Sequence, residues 1–473
     1  MGGERGDMDS FVGAGGLFAV MGHRDAVHLV CLGLHALQHR GTLGVGLVAS
    51  DGHLLRSRQG AGLVPEALAS TRLSQLSGPL AAGLVHGCAE HTGPPESGAL
   101  DAERMVVGRH RSGQMAVGVS GRFTNGVRLR RELTQAGAMF QTPSDAELLL
   151  HLVARSGQKT FVNRLVDALW KVEGAFSLVV LTEARLVAIR DPSGFRPLVL
   201  GSLGDAILVA SEDAAIRYVG GEVHGAVGPG EIRILDPEGQ QSVRPFPRAE
   251  PRACVHELVS LAGSDAVVFE RSVHTVRIAL GQRLASEHPC PGADAVVPVP
   301  GSERQATGYA AHSDLPVIQA LIADPWVSGP EPLPEGLLEL GAQGCWRVVP
   351  AAIEGRSLCV VAASSVTGRG LIQIVRTLRQ AGAEQIHLRI ASPLVHSSCA
   401  YGVSSPATDE LLHVLHEGNL SEVLGARTVG VLSLSGLRGG VSDAGDPLGL
   451  CDACFSGELP LEPEPPDDQL PLF

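Results

Sequence analysis

The stretch from Ser357 to Gln380 limits the fold more than any other part of the chain. It reads SLCVVAA, then SSVTGRG, then LIQIVRTLRQ: an unbroken apolar run, a turn of small residues, and apolar residues at helical spacing. An apolar run without alternation is what a strand covered on both faces requires, and the small-residue turn that follows makes a loop of phosphate size at the start of a helix. The apolar run IHLRIAS comes next. Together these predict a parallel sheet with helices on both faces.

The pattern that leads into this stretch agrees with it. A helix is expected at SVHTVRIALGQRLASEH, a strand at ADAVVPVPG, a helix at ERQATGYAAHS and a strand at PVIQALI. The N-terminal half does not alternate in this way. A strand at GGLFAVMG precedes a helix at HLVCLGLHALQHRG closing on Gly41, and LGVGLVAS with DGHLLRSRQG predicts a hairpin turned at Asp51-Gly52. Short strands at AAGLVHG and QMAVGVSG, helices at DAELLLHLVARSG and FVNRLVDALWKVEG, and the strand pairs FSLVVLT with RLVAIRD and PLVLGSL with AILVASE complete it. That order predicts two mostly antiparallel sheets with helices outside.

Between the halves, PFPRAEPR at 245–252 reads as a proline-rich link. The expected division is a polar leader at 1–14, an N-terminal domain at 15–246, a C-terminal domain at 247–450, and a segment at 451–473 ending in an acidic, proline-rich tail. A chain of 473 residues is too long for one ordinary core. Its net charge of −13 argues against nucleic acid as a partner, which needs a clustered excess of Lys and Arg. No apolar run approaches bilayer length, and Met1 to Ala14 lacks the apolar core of a signal peptide. The expectation is a cytoplasmic protein without membrane contact, whose nine cysteines are reduced thiols or metal ligands.

The loop at Ser364 to Gly370 resembles the ribose-phosphate loop of type I phosphoribosyltransferases, specifically that of the glutamine amidophosphoribosyltransferases that open purine synthesis. ALQHRG at Ala36–Gly41, SDAE at Ser144–Glu147, EGAFSLVVLT at Glu173–Thr182, RDPSGFRPLVLG at Arg190–Gly201 and PGEI at Pro229–Ile232 resemble the glutaminase half of the same family, in the right order. The resemblance implies an N-terminal αββα sandwich of the Ntn glutaminase type and a C-terminal doubly wound parallel sheet.

Set against that family, the reacting groups are replaced. The family's nucleophile is a cysteine whose own α-amine serves as base; the matching residue is Gly15, and no cysteine precedes Cys31. LVHGCAE places His86 where the family has the arginine that grips the substrate carboxylate, a bidentate contact an imidazole cannot copy. In VSGRFTN the side-chain amide of the oxyanion hole has become Ser120, a loss of about 3 kcal/mol in transition-state stabilisation where such a donor acts, while Gly121 keeps its backbone N–H. Asp145 matches the acid that binds the substrate amine, and also reads as a carboxylate at a helix N-terminus. Cys88 falls on the same strand face as His86, which permits a pair, but it reads first as a small core residue.

In the C-terminal half, VVPVPGSERQATGYA has Gly301 where the family carries an acid. The segment LIADPWVSGPEPLPEG holds no Lys or Arg and presents Asp324, Glu331 and Glu335, which would repel a diphosphate. The adjacent acids that hold the ribose hydroxyls are replaced by Ala362 and Ala363. Ser364 and Gly368 remain, so backbone N–H groups of that loop could still hold a phosphate or sulfate. Mg²⁺ is implied only if phosphoribosyl pyrophosphate is still bound.

Against these losses, Cys254 in PRACVHE, Cys399 in SPLVHSSCAYG, and Cys451 and Cys454 in LGLCDACFSGELP match the positions at which the cluster-bearing branch of the family ligates a 4Fe-4S cluster. The other cysteines read as core. The resemblance and the replacements together predict a catalytically inactive member acting through binding, as a homo-oligomer or with an active paralogue, and with a phosphate or nucleotide ligand. An active amidophosphoribosyltransferase and an iron-sulfur sensor of oxygen or iron are the alternatives.

Overall fold

The computed structural model describes residues 15–68, 73, 75–87, 105–110, 113–323, 346–403, 411–412, 419–445 and 448–464. The segments at 1–14, 324–345 and 465–473 lie outside it, as do Cys88, Cys345, Asp324, Glu331 and Glu335.

The N-terminal half builds two antiparallel sheets. Strands β1 (Gly16–Met21), β2 (Gly44–Ser50), β3 (Leu55–Ala61) and β4 (Leu80–His86) belong to the first, and β5 (Val106–His110), β6 (Gly113–Phe123), β7 (Gly174–Thr182) and β8 (Leu186–Arg190) to the second. β9 (Val199–Leu203), β10 (Ala206–Ala210) and β11 (Glu222–Ala226) return to the first, and β12 (Ile232–Asp236) with β13 (Gly239–Val243) completes the second. The orders are β11-β9-β10-β1-β4-β2-β3 and β13-β12-β8-β7-β6-β5. Alternation decides which side chains face which layer. On β1, Leu17 and Ala19 join Val179 and Leu181 of β7 between the sheets, whereas Phe18 and Val20 pack outward on the helix Ala26–Ala36. The helices Asp145–Arg155 and Phe161–Leu169 cover the outer face of the second sheet. This is the expected αββα sandwich.

The predicted hairpin pairs Ser50 with Leu55 across the Asp51-Gly52 turn. The first helix stops at Ala36, five residues short of Gly41, and a tighter turn over Gln38–Arg40 completes the approach. The helix Gly126–Gln135 has no counterpart among the expected elements; its buried positions, Gly126, Leu129 and Leu133, keep helical spacing, but the segment between them is mostly polar and charged.

Three short strands, β14 (Ala253–Cys254), β15 (Val267–Val268) and β16 (Arg271–Ser272), lead into the second half. There β17 (Ala295–Pro298), β20 (Ser357–Ala362), β21 (Gln385–Ile390) and β22 (Thr428–Val431) form a parallel sheet in that order, with the minor pair β18 (Leu321–Ala323) and β19 (Trp346–Val348) beside it. The helices Val273–Glu287, Glu303–Ser313 and Leu434–Asp443 pack on one face, and Arg369–Gln380 on the other. The opening stretch is therefore a central strand, loop and helix. The strand expected at PVIQALI is much reduced: Val317 bridges Val296, but Pro298 of β17 has no N–H for the next rung, and Leu321–Ala323 pairs antiparallel with Trp346–Val348 instead. Finally β23 (Leu450–Cys451) pairs in parallel with β14 and sets Cys451 opposite Cys254.

Candidate functional site

Two regions of the interior carry the residues singled out in the sequence. The first surrounds Gly15. Its carbonyl accepts hydrogen bonds from Arg40 Nε at 3.0 Å and from the Ser120 hydroxyl at 3.2 Å, and its N–H donates to the Arg40 carbonyl at 3.2 Å. Gly15 and Ser120 are 105 residues apart yet bonded directly. His86 ends β4 in register with Gly44 and is 3% exposed, its ring packed against that glycine. Gly121 is covered from the second half of the chain: a Cβ on Gly402 would lie 2.6 Å from the Gly121 carbonyl carbon, so only glycine permits this approach. Asp145, at the start of its helix behind the Ser144 cap, accepts the Phe123 N–H at 2.7 Å and so holds the end of β6.

Arg40 continues from Gly15 into a buried charge cluster. Its guanidinium donates to Glu212 at 2.7 Å and to both oxygens of Glu257 at 2.7 and 2.8 Å, and Arg196 meets Glu257 at 3.3 Å. None of the four side chains is more than 1% exposed. Burial pushes the Glu212 carboxyl up, but His39 at 2.9 Å and Arg40 outweigh it and hold the group down at about 2. Burial likewise opposes ionisation of Glu257, and Arg40 and Arg196 prevail and lower it. Glu257 begins a π-helical turn, Glu257–Leu261, an irregularity common where a side chain must be aimed. Sequence reading missed this cluster, although Arg40 and Arg196 sit inside the ALQHRG and RDPSGFRPLVLG blocks it quoted.

The second region lies next to it. Cys254, Cys399, Cys451 and Cys454 line one small cavity of about 10 Å³ with His256, Arg196 and Tyr401. β14 and β23 bring Cys254 and Cys451 side by side, the turn at Ala453–Ser456 presents Cys454, and the loop before Tyr401 supplies Cys399, whose sulfur accepts the Tyr401 N–H at 3.3 Å. His256 Nε2 lies 3.2 Å from Cys454 Sγ, and Arg196 Nη1 is 4.0 Å from Cys254 Sγ. Burial pushes Cys254 up to about 11 and raises Cys451 and Cys454 further. Such thiols stay protonated at neutral pH unless cations compensate their charge. Among the described residues no group of three or more His, Cys, Asp or Glu converges on a point that one metal ion would occupy. The four cysteines instead border one small shared cavity.

In the parallel sheet, Ala362 ends β20 and is buried among apolar side chains. The Ala363 N–H donates to the Ser302 hydroxyl at 2.8 Å, and Gly301, with φ of +90°, donates to Glu303 at 2.9 Å. Gly368 caps the helix Arg369–Gln380, the Arg369 N–H bonds the Thr367 hydroxyl at 3.3 Å, and the Leu412 N–H bonds the Val366 carbonyl at 2.8 Å. Ser364 is 7% exposed and its hydroxyl is buried with no partner among the described residues.

A glutaminase-type sandwich joined to a phosphoribosyltransferase-type sheet defines a two-domain amidotransferase architecture. The comparisons with known proteins agree. Residues 101–218 match the glutamine amidotransferase domain family. The chain is 37% identical over 454 residues to amidophosphoribosyltransferase 1, chloroplastic, of Arabidopsis thaliana, covering 95% of this chain and 79% of that protein. It is 34% identical over 452 residues to the amidophosphoribosyltransferase of Bacillus subtilis, covering 94% of each. The solved glutamine phosphoribosylpyrophosphate amidotransferase of B. subtilis, complexed with ADP and GMP, superposes with a TM-score of 0.87 at 34% identity over 94% of this chain and 97% of that one. A structure described as the allosteric regulatory enzyme of purine biosynthesis superposes at 0.89, with 33% identity over 95% of this chain and 97% of that one. The chain belongs to the amidophosphoribosyltransferase family. Among the described residues no helix is long and apolar enough to cross a membrane.

Proposed function

We propose that this chain is a member of the family that no longer hydrolyses glutamine and acts as a binding or regulatory subunit. The observation that carries this reading is at Gly15: the nucleophile's position has no side chain, and its carbonyl is engaged by Arg40 and Ser120. The other replacements, His86 for the carboxylate grip and Ala362 with Ala363 for the ribose acids, point the same way. Incubation of the pure protein with glutamine should release no glutamate, and ammonia with phosphoribosyl pyrophosphate should release no pyrophosphate. Turnover in either assay that is lost on replacing Asp145 or Ser364 overturns this reading and favours the active enzyme, which the similarity across most of the chain supports.

The four cysteines fit a 4Fe-4S cluster, with Cys254, Cys399, Cys451 and Cys454 as thiolate ligands and Arg196 beside them to balance negative charge. The cluster would compensate thiolates that burial otherwise disfavours, and would fasten the segment from 451 onward to both halves at the contact of β14 with β23. Loss of a brown chromophore in air together with a change in oligomer size would assign it a sensing role; persistence for hours in air assigns a structural one. Ser364 and Gly368 are the remaining ligand positions of the second half, and the unpartnered Ser364 hydroxyl suits a phosphate or nucleotide, with Mg²⁺ where the ligand is a diphosphate. Thermal stabilisation by such ligands, lost in Ser364→Ala, tests this.

The domains of this reading are 15–246 and 247–450, with 1–14 as leader and 451–473 as the cluster-bearing segment and tail. The assembly is a homo-oligomer or a hetero-oligomer with an active paralogue, in the cytoplasm and apart from nucleic acid and membrane.

A further inference from the structure

The four-cysteine cavity is bordered on one side by the chain that follows its last cysteine. The turn Ala453–Ser456 ends at Gly457, whose φ of +77° favours glycine, and open space surrounds the place a Cβ would take there. From this point residues 458–464, ELPLEPE, run from the cavity to the N-terminal half. Leu459 lines the cavity and is still 41% exposed, so the same side chain borders both the space between the thiols and water.

Tyr401 and Arg128 anchor this strap. The hydroxyl of Tyr401, itself a cavity-lining residue, donates to the Leu461 carbonyl at 2.6 Å and accepts the Leu461 N–H at 3.1 Å. The Leu461 side chain packs on the cluster formed by Phe195, Tyr401 and Cys451. Further on, the Glu464 N–H donates to the Thr124 carbonyl at 3.2 Å, and its carboxylate accepts the Arg128 N–H at 3.1 Å and Arg128 Nε at 2.7 Å. The anchors differ in kind. Tyr401 is 3% exposed, whereas the Arg128 and Glu464 side chains are 40% and 28% exposed, so water and salt compete for the second anchor. Pro460 and Pro463 have no N–H to give to a ladder, so the strap is not tied down as a strand and can lift without breaking a sheet.

We propose that residues 458–464 are a hinged cover on the four-cysteine cavity, and that the Arg128–Glu464 latch sets how often the cavity opens to solvent. Release at Glu464 leaves the strap held at Tyr401 alone, and movement about Gly457 then withdraws Leu459 from the cavity wall. The latch joins the helix Gly126–Gln135 of the N-terminal half to the segment that follows Cys454, so access to the thiols depends on the contact between the two halves. Opening admits metal ions and small thiol reagents. The cover works in the same way whether the cavity holds a cluster or four free thiols.

The test uses the full chain purified without air. Iron and acid-labile sulfide are measured first, and their presence or absence bears on the cluster alone. Protein without iron is treated with iodoacetamide under native conditions and mapped by mass spectrometry, which gives a rate for each cysteine; protein with iron is offered a ferrous chelator, and the rate of metal transfer is followed by colour. In either form Glu464→Gln should raise the rate by about two- to fivefold, the range open to a partly exposed ion pair. Salt raised to about 1 M should do the same to the unaltered chain and little more to Glu464→Gln. Leu459→Ala, which cuts back the cover itself, should raise the rate further than Glu464→Gln. Alkylation of Cys31, half-buried and outside the cavity, should stay constant throughout. Equal rates at the cavity in the unaltered chain and both variants, or a Cys31 rate that rises in step with them, overturns the proposal. Should a variant fold poorly, the salt response of the unaltered chain at the cavity against that at Cys31 decides it.

Discussion

The surroundings of Gly15 and the four-cysteine cavity share Arg196 and Glu257 along their common border, yet they have opposite characters. Around Gly15 the chain's own groups bond and pack on one another: Arg40 and Ser120 bond the carbonyl, His86 packs against Gly44, and Gly402 rests on Gly121. Around Cys254, Cys399, Cys451 and Cys454 a cavity persists, although buried thiols could have closed on one another as ordinary apolar packing. A polar site without its ligand must satisfy itself internally, because an unmet buried donor or acceptor costs about 1–3 kcal/mol. The Gly15 carbonyl is met in this way by Arg40 and Ser120, whereas the four thiols border a small open space.

The sharpest way to break the comparison is at the cysteines. Replacing Cys451 and Cys454 together by Ser should remove all iron, acid-labile sulfide and visible absorbance from protein purified without air, since the remaining pair cannot hold a cubane cluster. The parallel contact of β23 with β14 should loosen as well, read as faster amide exchange at Ala253 and Cys254. Wild-type protein that carries no iron or sulfide would instead make the cavity a packing defect and erase the contrast.

The charge cluster on the border comes next. Glu257→Gln leaves the Arg40 and Arg196 guanidiniums buried with Glu212 as their remaining carboxylate, and should destabilise the protein by about 3–5 kcal/mol in denaturant unfolding. A loss below about 1 kcal/mol would mean that the two regions are not joined energetically through this residue.

The order of the main strands and helices, the Asp51-Gly52 hairpin and the two-domain character were legible, because period-2 alternation, helical spacing and turn residues are local signals. The buried charge cluster was not legible, since Arg40 and Glu257 are 217 residues apart and no local pattern links them. The short ladder at Val317 went against the apolar run, since the residue that lacks the next donor, Pro298, lies on the neighbouring strand.

Acid should separate the border from the cavity by a smaller amount. Glu212 faces His39, Arg40 and Glu257, and its folded pKa of about 2 lies below the ordinary 4.5. A group lowered in this way contributes stability above its unfolded pKa and loses it as pH falls through the interval from 4.5 toward 2. The loss is on the order of 3 kcal/mol. Unfolding curves across that interval should be flatter in Glu212→Gln than in the unaltered chain. An unchanged slope would assign the acid sensitivity elsewhere.

The smallest expected effect is also the most direct trial of the closed site. Gly15 has φ of +74°, so Gly15→Cys places an L side chain in the left-handed region, at a cost of about 1–2 kcal/mol, which a thermal melt will read. It should not restore glutamate release. The new thiol would stand beside a carbonyl already held by Arg40 and Ser120, with His86 unable to grip a carboxylate in two places and Ser120 occupied as a donor to Gly15. Release of glutamate by this single variant would show that the surroundings of Gly15 are a substrate pocket short of one atom group. The contrast with the cysteine cavity would then be one of occupancy alone.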